Sequence, residues 1–288
     1  MWRRIVLLCA DTHGGHQLAL MNPTVKLPDK TEGGEQTTYT PASTAMQRWL
    51  WDCWMGDIRA VRDLAGDDEI VVVHVGDITW GNTHPDQLVS GRMSDQPFIA
   101  AANLLPLAVL DNVRTVRLIH GTEAHEFGHG ASNQIVAEFL KRQFPAKSIR
   151  AVRHSLLDVD GVTIDAAHHG PTPGGRQWLR GNILRYNIRS QMLADLVQGR
   201  EPARVYVRGH YHEYTRELVR VNSEPPRESF GVILPAYCGL THYAQKVTRS
   251  AYMIGCGMVA LEVIDGRLSW DGVHAYHRTV DLRTKEAI

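Results

Sequence analysis

The hydrophobic positions of this chain fall into short continuous runs, each closed by a polar or glycine-rich segment. Ile5 to Ala10 is the first, apolar at every position and followed by Asp11-Thr12-His13-Gly14-Gly15. Apolarity on successive residues means that both faces are covered, the pattern of a strand inside a parallel sheet. Glu69 to Val75 repeats it and ends in Gly76-Asp77, and Arg114 to His120 leads into Gly121-Thr122-Glu123-Ala124-His125. Val162 to Ala167 ends in His168-His169-Gly170, and Arg204 to Arg208 ends in Gly209-His210-Tyr211-His212.

Between these runs the period becomes helical. Met46, Trp49, Leu50, Trp54, Ile58, Val61 and Leu64 recur at three- and four-residue intervals, with Thr44 and Gln47 spaced as a capping box and Gly66 as the stop. Trp49 and Trp54 sit on that stripe and read as core rather than as a stacking platform. Further helices are expected after Ser94, disturbed by Pro106, over Asn133 to Phe144 before Pro145, and within Gly181 to Gly199. Asp160-Gly161 predicts a hairpin between Ser155 to Val159 and Val162 to Ala167, and Asp265-Gly266 predicts one between Met258 to Ile264 and Arg267 to His274. Thr215 to Val221 and Val232 to Leu234 are further strands. Gln17 to Ala42 is polar, aperiodic and broken by Pro23, Pro28 and Pro41, a long excursion expected to serve as a binding loop or a surface insertion. Strands alternating with helices predict an α/β fold. With no internal repeat or linker, residues 1–288 read as one domain, with a loop-plus-helix insertion at 14–66 and strands at 215–288 completing the sheets.

Composition narrows the function classes. At 43% hydrophobic and 22% charged, the 288 residues can bury a sizeable core, which excludes disorder, collagen and coiled coil. Thirty-one basic residues balance thirty-one acidic ones, so no broad field draws the chain to nucleic acid or to an anionic membrane, and a nucleic-acid partner would need a local patch. Arg3 and Arg4 before a short apolar run imitate a signal peptide, but the run is too short and Asp11 interrupts it; with no membrane-length segment either, a cytoplasmic protein without a membrane partner is expected. Cys9, Cys53, Cys238 and Cys256 lie far apart without a C-x-x-C pair and read as small buried apolar residues. Histidine, at 15, is the residue in excess.

Position gives that excess a meaning. Asp11 with His13, Asp77, Glu123 with His125, His168 with His169, and His210 with His212 all stand just beyond the C-terminal end of an apolar run. One histidine at a strand end is usually a satisfied core residue. Five strand ends carrying Asp, Glu or His are better explained by a shared site, because ligands of open α/β sheets bind beyond the carboxyl ends of strands. Carboxylates with imidazoles favour Mn, Fe, Co, Ni or Zn over Ca or Mg, and bridging carboxylates suit two ions sharing one nucleophile.

Asp11-x-His13, Gly76-Asp77, the segment Gly121 to Glu126, His168 and Gly209-His210-x-His212 follow the order of motifs in the calcineurin-like metallophosphoesterases, which residues 5–214 resemble. The resemblance implies a four-layer α-β-β-α sandwich and hydrolysis of a phosphomonoester or phosphodiester, on a nucleotide, a nucleic acid or another phosphate ester, by a hydroxide activated at two divalent ions, Mn²⁺ first, with Fe, Zn, Ni or Co as alternatives. It places Asp11, His13 and His212 on one metal, Asp77 between the two, and His168 and His210 on the other. Glu123 would replace the usual Asn ligand, with Thr122 or His120 as alternatives, and His125 would be the catalytic acid. His168 is favoured over His169 as ligand, leaving His169 with Arg180 or Arg176 for substrate phosphate. Gly121-Thr-x-x-His125, His168-His169-Gly170 and Trp178-Leu-Arg-Gly-Asn182 resemble a subgroup common in phages and prophages, implying the cytoplasm of a bacterium or a phage-infected host. Gly-Asp-x-x-Asp, usual in the family, is here Gly76-Asp77-Ile78-Thr79-Trp80.

Two other readings compete. His125-Glu126-Phe127-Gly128-His129 matches the zinc-peptidase H-E-x-x-H, although its glycines are poor helix residues and it leaves the other four strand ends unexplained. A metal-bound phosphate- or nucleic-acid-binding module without activity is the other. Arg176, Arg180, Arg185 and Arg189 do not share one helical face and read mainly as solvated surface.

Overall fold

The computed structural model describes residues 2–173, 179–240, 253–281 and 283–286. Two sheets dominate a mixed α/β fold. In the first, β1 (Arg3–Cys9) runs parallel to β4 (Glu69–Val75), and β5 (Val113–Ile119) and β6 (Ser148–Val152) continue in parallel beyond β4. On its other side β1 is antiparallel to β12 (Met253–Ile264), which pairs antiparallel with β13 (Val273–Asp281). In the second sheet β7 (Ser155–Val159) and β8 (Val162–Ala166) form the hairpin at Asp160-Gly161, and β9 (Val205–Arg208) lies parallel to β8. β11 (Arg227–Ile233) and β10 (Thr215–Val221) complete it.

The continuous apolar runs are explained by two cores. Ile5, Leu7 and Cys9 share one with α1 (Ala45–Ala65), α2 (Asp95–Ala108) and α3 (Ala131–Gln143), while Val6, Leu8 and Ala10 share another with Ile164, Ala166, Val205, Val207 and Phe230 of the second sheet. A third core joins Leu184, Ile188 and Met192 of α4 (Asn182–Val197) to Tyr206, Val219 and Ile233. Each fully buried Val, Leu or Ile contributes about 1.5–3 kcal/mol, so strands apolar at every position stabilise two interfaces at once.

The α1 capping box is present in both directions: Gln47 N–H donates to Thr44 Oγ1 and Thr44 N–H to Gln47 Oε1. Leu50, Trp54, Ile58 and Val61 place α1 in the main core, so this helix is integral to it. Pro106 lies inside α2, where its ring removes the donor that would serve Ala102 O. Asn22 Nδ2 donates to that carbonyl instead (3.3 Å), and Asn103 holds Leu20 O and Asn22 N (both 2.8 Å), stapling the chain after the first site loop to α2.

Three elements depart from the sequence expectation. The excursion contains a hairpin, β2 (Leu27–Lys30) with β3 (Gln36–Tyr39), whose Leu27 packs with Met21, Val25 and Ile99. Those apolar residues are too widely spaced to show a period. β6 is half polar because it is an edge strand, and polar side chains on its exposed positions hide it. The last strand starts at Val273 rather than Arg267, since a turn around Ser269 and Gly272 intervenes after the Asp265-Gly266 bend.

Candidate metal centre

The loops after β1, β4, β5, β8 and β9 meet, and the backbone ties them together. Asp11 N donates to Gly76 O (3.0 Å) and His13 N to Asp77 O (3.0 Å), continuing the β1–β4 pairing past the strand ends. Gly209 N donates to His168 O (3.0 Å), and His210 N to Asp11 Oδ2 (3.0 Å), which joins the second sheet to the first. Asp11, His13, Asp77, His210 and His212 all have φ between 42° and 76°, the left-handed region that L-residues avoid. Gly121 is required by close approach: a Cβ there would overlap Asp77.

On one side, Asp11 Oδ1 lies 3.3 Å from His212 Nε2 and 3.9 Å from His13 Nε2, and the two nitrogens are 3.2 Å apart. A point about 2.0 Å from all three atoms satisfies those separations, and that is a metal–ligand bond length. Asp11 Oδ1 is buried and accepts no hydrogen bond, so the donor set fits a cation. On the other side, His168 Nε2 is 3.1 Å from Asp77 Oδ2, and Thr122 Oγ1 is 3.3 Å from that oxygen and 3.4 Å from both His168 Nε2 and His210 Nδ1.

The tautomers suit this role. His168 Nδ1 lies 2.8 Å from Val75 O and donates to it, which turns Nε2 toward Asp77. Burial opposes charge on His168, yet Asp77 and Asp11 outweigh it and push the imidazole up to about 10. The pair sits where a divalent ion would take the place of that proton and bind both His168 Nε2 and Asp77 Oδ2. Burial holds His210 down at about 4 and His13 well below the usual imidazole range, with His168 and His125 respectively adding to the effect. These rings stay neutral, the state that ligates.

His125 stands beside the cluster. Its Nδ1 donates to Trp80 O (2.6 Å), turning Nε2 toward Asp77 Oδ2 at 4.0 Å, and its ring lies 4.8 Å from those of His13 and Trp80. Trp80, where the usual motif has its second Asp, also contacts His13 and His16, so an aromatic ring packs this side of the site. His169, exposed, lies at the rim with its ring 4.8 Å from His210.

The structure does not bring Glu123 into the cluster. Residues 123–130 form successive turns, and Glu123 points outward, its side chain 70% exposed and 3.4 Å from His129. Thr122 enters instead, because its N–H donates to Asp77 Oδ1 (2.6 Å) and draws the hydroxyl inward. The same turns remove the H-E-x-x-H helix: His125 faces the site, whereas the His129 side chain is 88% exposed. Glu126 is fully buried, its Oε1 accepting from Asp77 N (3.1 Å), with the Gly121 backbone also close to the carboxyl. Arg180 pairs with Glu213 (2.8 Å), the residue after His212. Arg176 and Trp178 lie outside the described residues. His120 packs over Gly130 and belongs to none of the candidate ligand groups among the described residues. Sequence reasoning missed Glu126 as a loop clasp and Cys238 as a neighbour of His13 and His212; the spacing around Cys238 carries no signal of it.

No protein-family model matches the chain, and no curated protein does. Among solved structures, NAD nucleotidase from Haemophilus influenzae is similar at 11% identity and a TM-score of 0.37, over 95% of this chain and 49% of that one. The 5'-nucleotidase from Candida albicans gives 12% identity and a TM-score of 0.38, over 98% of this chain and 53% of that one. The chain spans about half the length of either protein.

Proposed function

We propose that the chain is a metal-dependent phosphoesterase of the calcineurin-like type, holding two divalent ions. The observation that carries this is the Asp11, His13 and His212 triangle around one point, with Asp77, His168, Thr122 and His210 set beside it. The three cores described above support a four-layer α-β-β-α arrangement in one domain. Oxygen and neutral imidazole donors suit Mn²⁺ or a neighbouring divalent ion.

When bound, such ions supply a nucleophile from water at neutral pH and neutralise phosphoryl oxygens. Asp11, His13 and His212 would hold one, His168, His210 and Thr122 the other, and Asp77 would lie between them. With Glu123 outside, Asp11 and Asp77 are the carboxylates that would face two divalent ions among the described residues, and the net positive charge favours an anionic phosphate ester. His125 Nε2 would give its proton to the leaving oxygen, its ring held by Trp80 O, a contribution of about 10²–10⁴-fold. His169 at the rim would contact the phosphate.

The test is metal content, together with hydrolysis of aryl phosphomonoesters, bis-aryl phosphodiesters and 5'-nucleotides in Mn²⁺. Asp77→Ala should abolish metal-dependent turnover, and His125→Ala should keep metal but lose about 10²–10⁴ in kcat. Normal turnover by Asp77→Ala would overturn the site. Two metals bound without hydrolysis of any phosphate ester would make the chain a binding module instead.

A further inference from the structure

Cys238 belongs to no motif, yet it borders the Asp11, His13 and His212 triangle. It is carried by residues 236–239, whose position is set from the backbone: Tyr237 N donates to Asp11 O (3.2 Å), Leu20 N to Tyr237 O (2.9 Å) and Gly239 N to Leu18 O (2.8 Å). The residue is 3% exposed, and its Sγ and one ring nitrogen each of His13 and His212 lie within 4.8 Å of one another. Its thiol donates to Gly239 O at 3.4 Å, a weak bond that competes poorly with a cation. The second observation is independent of the cysteine: Asp11 Oδ1 is buried, unpartnered and directed at the same two imidazoles.

We propose that Cys238 supplies a thiolate to the cation held by Asp11, His13 and His212, a soft donor that the Asp77–His168 side lacks among the described residues. The inference rests on the metal-centre reading above and deepens it. As the sulfur–metal bond forms, the thiol proton leaves to solvent and nothing is oxidised or reduced. The two halves would then differ in preference: sulfur with imidazole favours Zn²⁺, Co²⁺ or Cd²⁺ on the Cys238 side, while hard and borderline donors leave the other side to Mn²⁺. A mixed-metal centre follows from the donor sets alone.

The experiment is anaerobic titration of the full chain with Co²⁺, followed by absorption spectroscopy. A near-ultraviolet sulfur-to-cobalt band should accompany the visible ligand-field bands. Cys238→Ser should lose the former and keep the latter, whereas Cys53→Ser should keep both. Cd²⁺ affinity should fall about tenfold or more in Cys238→Ser, with Mn²⁺ affinity little changed. If Cys238→Ser fails to fold, X-ray absorption of the Cd²⁺-loaded wild type decides, a sulfur neighbour supporting the assignment and an all-oxygen-and-nitrogen shell overturning it. Cobalt bound with ligand-field bands alone overturns Cys238 and leaves the metal centre standing. No cobalt uptake overturns both.

Discussion

Glu126 offers the most direct physical test of how the site loops are held. Its carboxyl is fully buried, with Oε1 accepting from Asp77 N–H, while Oε2 has no hydrogen-bond partner. Burial raises its pKa to about 7 from an ordinary 4.5, against the lowering effect of Gly121 N–H. The folded chain therefore holds a proton that the unfolded chain releases between those values. The stabilisation tied to this proton is fully present below about pH 4.5 and is lost as the pH rises through about 7, a change of about 3 kcal/mol over the interval. Glu126→Gln keeps an oxygen acceptor for Asp77 N–H and removes the titration. Urea unfolding of chelator-treated wild type and Glu126→Gln between pH 4.5 and 7.5 isolates the term, because every other titrating group is common to both. The wild-type advantage should shrink by about 3 kcal/mol as the pH rises. Parallel profiles would refute a buried, proton-retaining Glu126.

Two further perturbations follow from the packing around the site. Gln96 is buried, its Oε1 accepting from Trp80 N (3.1 Å) and Gly81 N (2.8 Å) and its Nε2 donating to Gly81 O (2.8 Å). Gln96→Leu leaves the N–H and carbonyl of Gly81 unpaired, while Trp80 N keeps Gly14 O (3.3 Å), and should cost about 2 kcal/mol or more in urea unfolding; it should also lower kcat at unchanged metal content, since Trp80 O orients His125. A stability loss with unaltered kcat would confine Gln96 to a structural role. Gly231 faces α4 so closely that a Cβ would overlap Ile188, so Gly231→Val should cost about 1–3 kcal/mol. In combination with Ile188→Ala, which opens that space, the two losses should sum to less than their separate values, measured as a double-mutant cycle.

Asp11, His13, Asp77, His168, His210 and His212 were legible because each follows an apolar run closely, and a buried strand fixes where its next residues emerge. Glu123 was misread for the opposite reason. It lies in a segment without a period, where successive turns rather than donor chemistry decide which side chain faces inward, and Thr122 takes the place through its N–H bond to Asp77. The H-E-x-x-H match failed on the same ground, since its geometry presumes a helix that glycine-rich turns do not form. Cys238 was illegible altogether, because residues 236–239 reach the site by backbone bonds to Asp11 and Leu18 that leave no trace in spacing. Long-range placement was readable where a regular element aimed the chain, and unreadable where an irregular segment was captured by a neighbour.

The left-handed backbone at five site residues carries a cost that the sequence does not advertise. Holding an L-residue there costs about 1–2 kcal/mol, so Asp11, His13, Asp77, His210 and His212 together oppose folding by several kcal/mol. Bonds such as Asp11 N to Gly76 O, His13 N to Asp77 O and Gly209 N to His168 O offset that strain and hold the donor atoms in place before any cation arrives. A site built this way trades stability for geometry, and the trade can be reversed at His212, whose φ is 56° and whose side chain is partly exposed. Glycine adopts that conformation without penalty. His212→Gly should therefore unfold at an equal or higher urea concentration than wild type when both are metal-free, by up to about 1 kcal/mol, while lacking the metal-induced rise in Tm expected of wild type. The same substitution at an unstrained position would only destabilise. A clear loss of metal-free stability in His212→Gly would mean that the histidine contributes packing, and that the strain in these loops is not the price of the ligand geometry.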